Sequence, residues 1–353
     1  MHERPLRTDD FDYDLPQELI AQTPVEPRDA SRLLVLDRQT GALHHDRFFN
    51  IGHYLQPGDL LVANESRVLP ARLFGHKPTG GKVEVLLLRR RDDRTWEALV
   101  GGKGVRPGTT LQIEPQAATH HGPVRAEVLD ALPHGGRLIQ FETPIEPLLP
   151  ELGQMPLPPY IHQQVADPER YQTVYSKTQG SAAAPTAGLH FTAQLIAALQ
   201  EQGIAWTTVT LHVGLDTFRP VQVEDPAQHT MHSEYFELSA ATADAINQVR
   251  AEGRRVIAVG TTTVRVLETA AQWAERDGLA TIRPCGGDTN IFIYPPYRFR
   301  VVDALITNFH LPKSTLLMLV SALASREQIL AAYAEAVRER YRFFSFGDAM
   351  LIV

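Results

Sequence analysis

His190, His212 and His310 are the residues whose type and setting point first to chemistry, because imidazole is the usual proton-transfer group near neutral pH. Each stands at a turn beside an apolar or small-residue run. His190 closes a stretch, 180–190, with no charge and almost no bulk before Leu189. Pro185 and Gly188 argue against an uninterrupted helix there, and side chains this small let a backbone approach a ligand closely. A loop packed tightly on a neighbour is the alternative, and a lone histidine is as readily a structural hydrogen-bonder. Arg265 offers a planar fork for a carboxylate, or a partner for Glu268 one turn on. His229 and His232 precede Glu234 at a spacing that would suit a metal on a helix. No helical pattern surrounds them and no His-Glu-x-x-His is present, so no metal is expected. These side chains are expected to hydrogen-bond a substrate or brace a loop.

The elements that must position these residues follow from capping and apolar runs. Thr192 suits the cap of a helix over 193–202, ended by Gly203. A strand over 204–213 then carries His212 near its carboxyl end. A buried strand over 255–259 leads into Gly-Thr-Thr-Thr-Val-Arg, 260–265, at the head of a helix to about 276. A strand over 301–306 leads into Thr-Asn-Phe-His-Leu-Pro-Lys, 307–313, and Ser314 caps a Leu-rich helix. Further expectations are a helix over 239–252, another to about 340, strands over 32–37 and 59–63, and a closing strand over 349–353. Three times a buried strand gives way to a polar, small-residue turn. In a mainly parallel arrangement those turns share the carboxyl edge, where such sheets bind ligands. Helix N-termini at two of them offer unpaired donors to an anion such as a carboxylate or phosphate.

From about 71 to 146 the texture changes to six short β-like runs (71–74, 83–88, 95–100, 110–113, 124–129 and 137–141) separated by Gly/Pro turns. This spacing predicts a small antiparallel barrel or sandwich. The expected fold class is therefore α/β, with a barrel-like main domain (1–70 and 150–353) and an inserted small antiparallel β-barrel domain (71–149). The net charge is −7, yet residues 65–106 hold ten Lys/Arg against five Asp/Glu, a local +5. That asymmetry permits an anion-binding face on an acidic protein, or a solvated, salt-bridged surface.

The single cysteine, Cys285, excludes an intrachain disulfide and thiolate-ligated zinc, and suits a reducing cytoplasm. No apolar run approaches the roughly 20 residues that span a bilayer, and no signal peptide is expected. Gly101-Gly-Lys-Gly104 lacks the third glycine and the following helix of a dinucleotide fingerprint, and neither a phosphate loop nor a Gly-x-Ser-x-Gly elbow occurs. Kinase, hydrolase and ordinary dehydrogenase chemistry lose ground accordingly.

The stretches 10–16, 31–37, 59–73, 153–161, 180–192, 209–221, 231–234, 260–268, 291–312 and 343–351 together resemble the S-adenosylmethionine:tRNA ribosyltransferase-isomerases of queuosine biosynthesis. One departure falls at Asp216, where glycine is usual. The resemblance implies that S-adenosyl-L-methionine is a co-substrate giving up its ribosyl moiety. The acceptor would be 7-aminomethyl-7-deazaguanine at the wobble position of a tRNA anticodon loop. Adenine and methionine would leave, and the transferred ribose would rearrange to an epoxycyclopentane. It also implies an α/β barrel-like body with a small β-barrel insert. From chemistry and position, His190 or His212 is expected as general base, with His310 near the adenine or the modified base. The donor is expected against Ser181, Pro185, Thr186, Gly188, Leu189, Phe191, Thr261, Thr262, Arg265 and Asn308. Arg265 or the turn 261–263 would hold its carboxylate, and Phe191, Tyr175 and Phe309 would stack. Lys82, Arg89, Arg90, Arg91, Lys103 and Arg106 would meet RNA phosphate. A cytoplasmic monomer without metal is the expectation. A non-catalytic RNA-binding scaffold and an RNA methyltransferase are the competing readings.

Overall fold

The computed structural model describes residues 4–353 except 117–121, 133–134, 164, 166 and 215–220. The chain divides into two compact units, a body of Met1–Ser66, Pro159–Thr178 and Ala184–Val353, and a smaller unit of Arg67–Pro158 and Gln179–Ala183.

Nine strands of the body form one mixed sheet. In chain order they are β1 (Arg32–Leu36), β2 (Leu43–Arg47), β3 (Leu60–Asn64), β4 (Ala205–Leu211), β5 (Glu234–Leu238), β6 (Val256–Val259), β7 (Cys285–Thr289), β8 (Ala304–Asn308) and β9 (Ala349–Ile352). Side by side the order is β7-β5-β4-β3-β6-β8-β9-β1-β2. The block β4-β3-β6-β8 is parallel, as near-continuous apolar runs such as Leu60–Asn64 and Ala304–Asn308 require when both faces are covered. Beyond it the sheet departs from the mainly parallel expectation. β5 runs antiparallel to β4, β7 to β5, and β9 to β8, with β1 parallel to β9. The parallel block is the part that carries the three turns, so their carboxyl ends do share one edge. The reversed strands bring their own starts to that edge, with Ser31 ahead of β1 and Glu234 heading β5.

Alternate residues of the strands (Leu33 and Val35, Leu61 and Ala63, Ile257 and Val259, Ala304 and Ile306) bury one face of the sheet against Phe48, Ile51, Phe191, Leu195 and Leu199. The period of two is what puts them together. Thr192 caps the helix Ala193–Glu201 by accepting from Leu195 N–H at 3.0 Å, and Ser239, Ser314 and Ser325 cap three further helices in the same way. Each such cap stabilises its helix by about 1 kcal/mol. The segment ahead of β1 holds a pair of 3₁₀ turns, Thr8–Phe11 and Gln17–Leu19, with Pro16 just outside the second. Among the described residues no single helix is long and apolar enough to cross a membrane.

The smaller unit holds all six expected strands: Arg72–His76, Lys82–Arg90, Thr95–Gly101, Thr110–Ile113, Val124–Ala131 and Gly136–Phe141. They close into an antiparallel barrel because Thr110–Ile113 returns to pair with Arg72–His76, Gly75 opposite Ile113. At that closure a Cβ on Gly75 would lie 2.0 Å from the Gln112 carbonyl oxygen, so only glycine lets the two backbones meet. Alternation along Val124–Ala131 buries Val124, Ala126 and Val128 and exposes Arg125, Glu127 and Leu129.

Candidate active site

The site is built from backbone outward. Gly260 precedes the helix Thr261–Arg276 at φ 91°, a conformation glycine adopts without steric cost. The first intrahelical bond at this end runs from Val264 N–H to the Gly260 carbonyl, so the amides of the first turn have no carbonyl of their own helix to meet. Thr261 and Thr262 stand at this end on the wall of an open cleft of about 630 Å³. The small residues Ala184, Pro185, Thr186 and Ala187 form the facing wall, and Asn308, Phe309 and His310, at the end of β8 and just past it, form the third. No carboxylate, lysine or arginine is among the described lining residues.

Asn308 ties the walls together. Its Oδ1 accepts from Thr186 Oγ1 at 2.9 Å, and its Nδ2 donates to the Phe344 carbonyl at 3.2 Å and to His190 Nε2 at 3.1 Å. An amide nitrogen can only donate, so His190 Nε2 accepts and the ring proton sits on Nδ1, 2.8 Å from Ser31 Oγ. Burial, with Arg28, Arg342 and Arg170 adding to it, pushes the His190 pKa down to about 3. The imidazole is therefore neutral with both nitrogens occupied. His190 orients Asn308 and is not among the described lining residues of the cleft. Phe344 holds φ 69°, unusual for a side chain with a Cβ, and its carbonyl is fixed by Gly347 N–H at 2.9 Å as well as by Asn308.

His310 is the histidine of the three that lines the cleft. Its backbone is clamped on both sides, the N–H donating to Tyr333 Oη at 2.9 Å and the carbonyl accepting from Tyr13 Oη at 2.5 Å. Nε2 lies 2.8 Å from Thr307 Oγ1, and burial lowers the pKa to about 3. A neutral, positioned imidazole results.

The other end of the same edge holds a buried ion pair. Arg265 Nη1 donates to Glu234 Oε2 in a buried ion pair, and its Nη2 donates to the Thr289 carbonyl at 3.4 Å. Glu234 Oε1 accepts from Gly214 N–H at 2.7 Å and lies 3.1 Å from His232 Nε2. Burial opposes the Glu234 charge, but Arg265, His232 and the Gly214 amide outweigh it and hold the carboxyl at about 2. Arg265 is thus committed inside the protein rather than free for a ligand carboxylate. Nor does it pair with Glu268, whose oxygens instead accept from Arg300, Val301 and Val302 N–H and from Tyr297 Oη. His229 packs edge-on against Phe292. His212 stacks on Tyr235 at 6.1 Å outside the cleft, and burial lowers its pKa against the opposing pull of Glu237.

Of the expected donor-binding residues, the structure brings Pro185, Thr186, Thr261, Thr262 and Asn308 to the cleft, with Phe309 beside His310. Others are placed differently. Phe191 is core, edge-on to Phe48 and Trp206, and Tyr175 also packs on Trp206. Gly188 presses on Tyr175, and Leu189 faces a separate recess. Ser181 falls in the smaller unit, its hydroxyl donating to the Ala183 carbonyl at 2.7 Å. Asp216 lies outside the described residues. Lys82, Arg89, Arg90, Arg91, Lys103 and Arg106 all belong to the smaller unit, at or near its surface. Arg90 pairs with Glu146 at 2.8 Å and with Asp93, and Arg91 with Glu97. Residues that sequence reasoning missed are Ser31, Tyr160 and Ser345, the last two joined at 2.7 Å on the cleft wall. Their signal was their place in the stretches 31–37, 153–161 and 343–351, which no local chemistry distinguished.

A family model described as queuosine biosynthesis protein matches residues 8–352. The chain belongs to the queuosine biosynthesis protein family. Within this family it is 59% identical over 352 residues, 99% of this chain and all of the relative, to the S-adenosylmethionine:tRNA ribosyltransferase-isomerase of Symbiobacterium thermophilum. The protein of the same name from Moorella thermoacetica is 56% identical over the same length and shares. Among solved structures, the S-adenosylmethionine tRNA ribosyltransferase of Thermotoga maritima superposes with a TM-score of 0.56 at 41% identity, covering 98% of this chain and 100% of that one. The α/β body and antiparallel barrel of this queuosine biosynthesis protein are thus the fold class that the sequence pattern leads one to expect.

Proposed function

We propose that the chain is an S-adenosylmethionine:tRNA ribosyltransferase-isomerase, with S-adenosyl-L-methionine as ribosyl donor and 7-aminomethyl-7-deazaguanine in a tRNA anticodon loop as acceptor. Relatives that match it end to end carry that name. The observation that carries the reading to residues is the cleft, where a helix N-terminus, an oriented amide and a neutral imidazole meet, with no formal charge among the described lining residues.

The methionine carboxylate is assigned to the amides at Thr261 and Thr262, which supply donors and the positive end of the helix dipole. Asn308, with its amide fixed by His190, and Thr186 hydrogen-bond the ribose or the adenine edge. The sulfonium acidifies the adjoining 5′ carbon, and His310, neutral near pH 7, is the group placed to take that proton and to return one as adenine departs. The target base must leave the anticodon stack to reach such a cleft. The lone Cys285 fits action in a reducing cytoplasm, and we propose that the protein works there as a monomer and without a metal.

Incubation of the protein with S-adenosylmethionine and tRNA carrying the precursor base tests this. Release of adenine and methionine is expected. Formation of S-adenosylhomocysteine would establish a methyltransferase instead, and tRNA binding without any small-molecule product would leave a scaffold.

A further inference from the structure

A second recess in the body, of about 260 Å³, is lined by Arg28, Arg170, His190, Ser345 and Gly347, with Pro24 and Leu189 as its apolar part. It shares Ser345 with the cleft, and His190 links the two through Asn308. Arg28 is held by neutral main chain, and Arg170 by one main-chain carbonyl and an ion pair with Glu26. Arg28 donates from Nη2 to the Glu169 carbonyl at 2.9 Å and from Nη1 to the Leu189 carbonyl at 3.4 Å. Arg170 Nη2 donates to the Val25 carbonyl at 2.8 Å, while its Nη1 is buried without an acceptor among the described residues. The carboxylate paired with Arg170, that of Glu26, is 67% exposed. Burial lowers the Arg28 pKa, and the nearby Arg170 charge adds to it against the pull of Glu26, Asp167 and Glu169. Arginines placed only for stability would be expected to meet buried carboxylates. Here the main chain fixes their direction, and both side chains line the recess.

We infer that this recess receives a backbone phosphate of the tRNA next to the nucleotide that enters the cleft. The inference rests on the proposed function for the identity of the nucleic acid. A phosphodiester suits the paired forks, and the ribose carbons flanking it suit Pro24 and Leu189. The carboxylate of the donor is the other oxyanion available, but the helix N-terminus at Thr261 already serves it inside the cleft.

The test compares the parent with Arg28→Gln and Arg170→Gln, measuring tRNA affinity against sodium chloride concentration. Each variant is expected to weaken binding about tenfold. Each should also make the log–log salt slope shallower by about 0.7–0.9, the loss of one phosphate contact. The KM for S-adenosylmethionine should stay within twofold. Arg28→Lys keeps the charge but not the fork, so it should retain the parent slope while weakening binding a few-fold. This pair carries the test should Arg170→Gln fail to fold. Parental slopes in both glutamine variants would overturn the inference. So would a tenfold rise in the KM for S-adenosylmethionine with tRNA binding intact, which would make the recess a donor site. Inorganic phosphate raising the parent's melting temperature while the tRNA slopes of the variants remain parental would mean binding of free anion alone, and would overturn it too. Adenine release by the parent separates the two claims: release with unchanged slopes removes only the recess, whereas changed slopes without release remove only the reaction.

Discussion

One sheet edge carries two polar regions with opposite fates. Past β6 and at the end of β8, Thr261, Thr262, Asn308 and His310 border an open cleft and carry no formal charge. Past β4 and at the head of β5, Gly214, Glu234 and Arg265 form a charged knot in which the Glu234 carboxylate is held by the Arg265 guanidinium and the Gly214 amide. Both look alike in the sequence, as polar residues where apolar strands stop. The difference teaches that a strand end becomes a site when its polar groups are fixed from behind, as Asn308 is by His190, and still have an open side.

Variants at the two ends should separate cleanly. The largest effect is expected from His310→Ala, which should lower kcat by about 10²–10⁴-fold while leaving the melting temperature within a few degrees. A folded, fully active variant would move proton transfer elsewhere. Next, Glu234→Gln leaves Arg265 buried beside a neutral amide and should cost about 3–5 kcal/mol of stability by urea titration. Its folded fraction should still turn over within a few-fold of the parent, and a loss of turnover beyond tenfold would return the ion pair to the active site.

The two ends should also respond differently to acid. His190 and His310, held at about 3, bind fewer protons folded than unfolded once pH drops below the ordinary histidine value near 6.5. Stability should therefore fall from about pH 6.5 downward, by up to roughly 1.4 kcal/mol per pH unit for each histidine. His190→Gln should flatten that slope. The carboxyl of Glu234 is depressed instead, so its contribution is intact above about pH 4.5 and is lost as pH falls toward 2. Urea midpoints at pH 7, 5.5 and 4 distinguish the two, since loss beginning only below pH 4.5 would deny that the histidines are held neutral. The smallest effect belongs to His212→Ala, expected within threefold of parental turnover because its ring stacks on Tyr235 away from the cleft.

Much of the fold is legible in the amino-acid order. The caps at Thr192 and Ser314, the strands of the barrel and the shared carboxyl edge follow from local pattern, because each depends on neighbours in sequence. The site is legible in part, since Thr186, Thr261, Asn308 and His310 lie on turns that the strand pattern itself marks. What the pattern does not carry is side-chain commitment. Whether His190 is free or bound depends on Ser31, 159 residues away, and whether Arg265 is free depends on Glu234, 31 residues away across the sheet. Reversal of β9 against β8 is equally hidden, for an apolar strand reads the same in either direction.

The position of the donor decides between the two ends of the edge. A crystal structure of this protein with S-adenosylmethionine bound should show the carboxylate on the Thr261 and Thr262 amides and the ribose between Asn308 and His310. Donor density beside His212 and Arg265, with the cleft vacant, would contradict that placement.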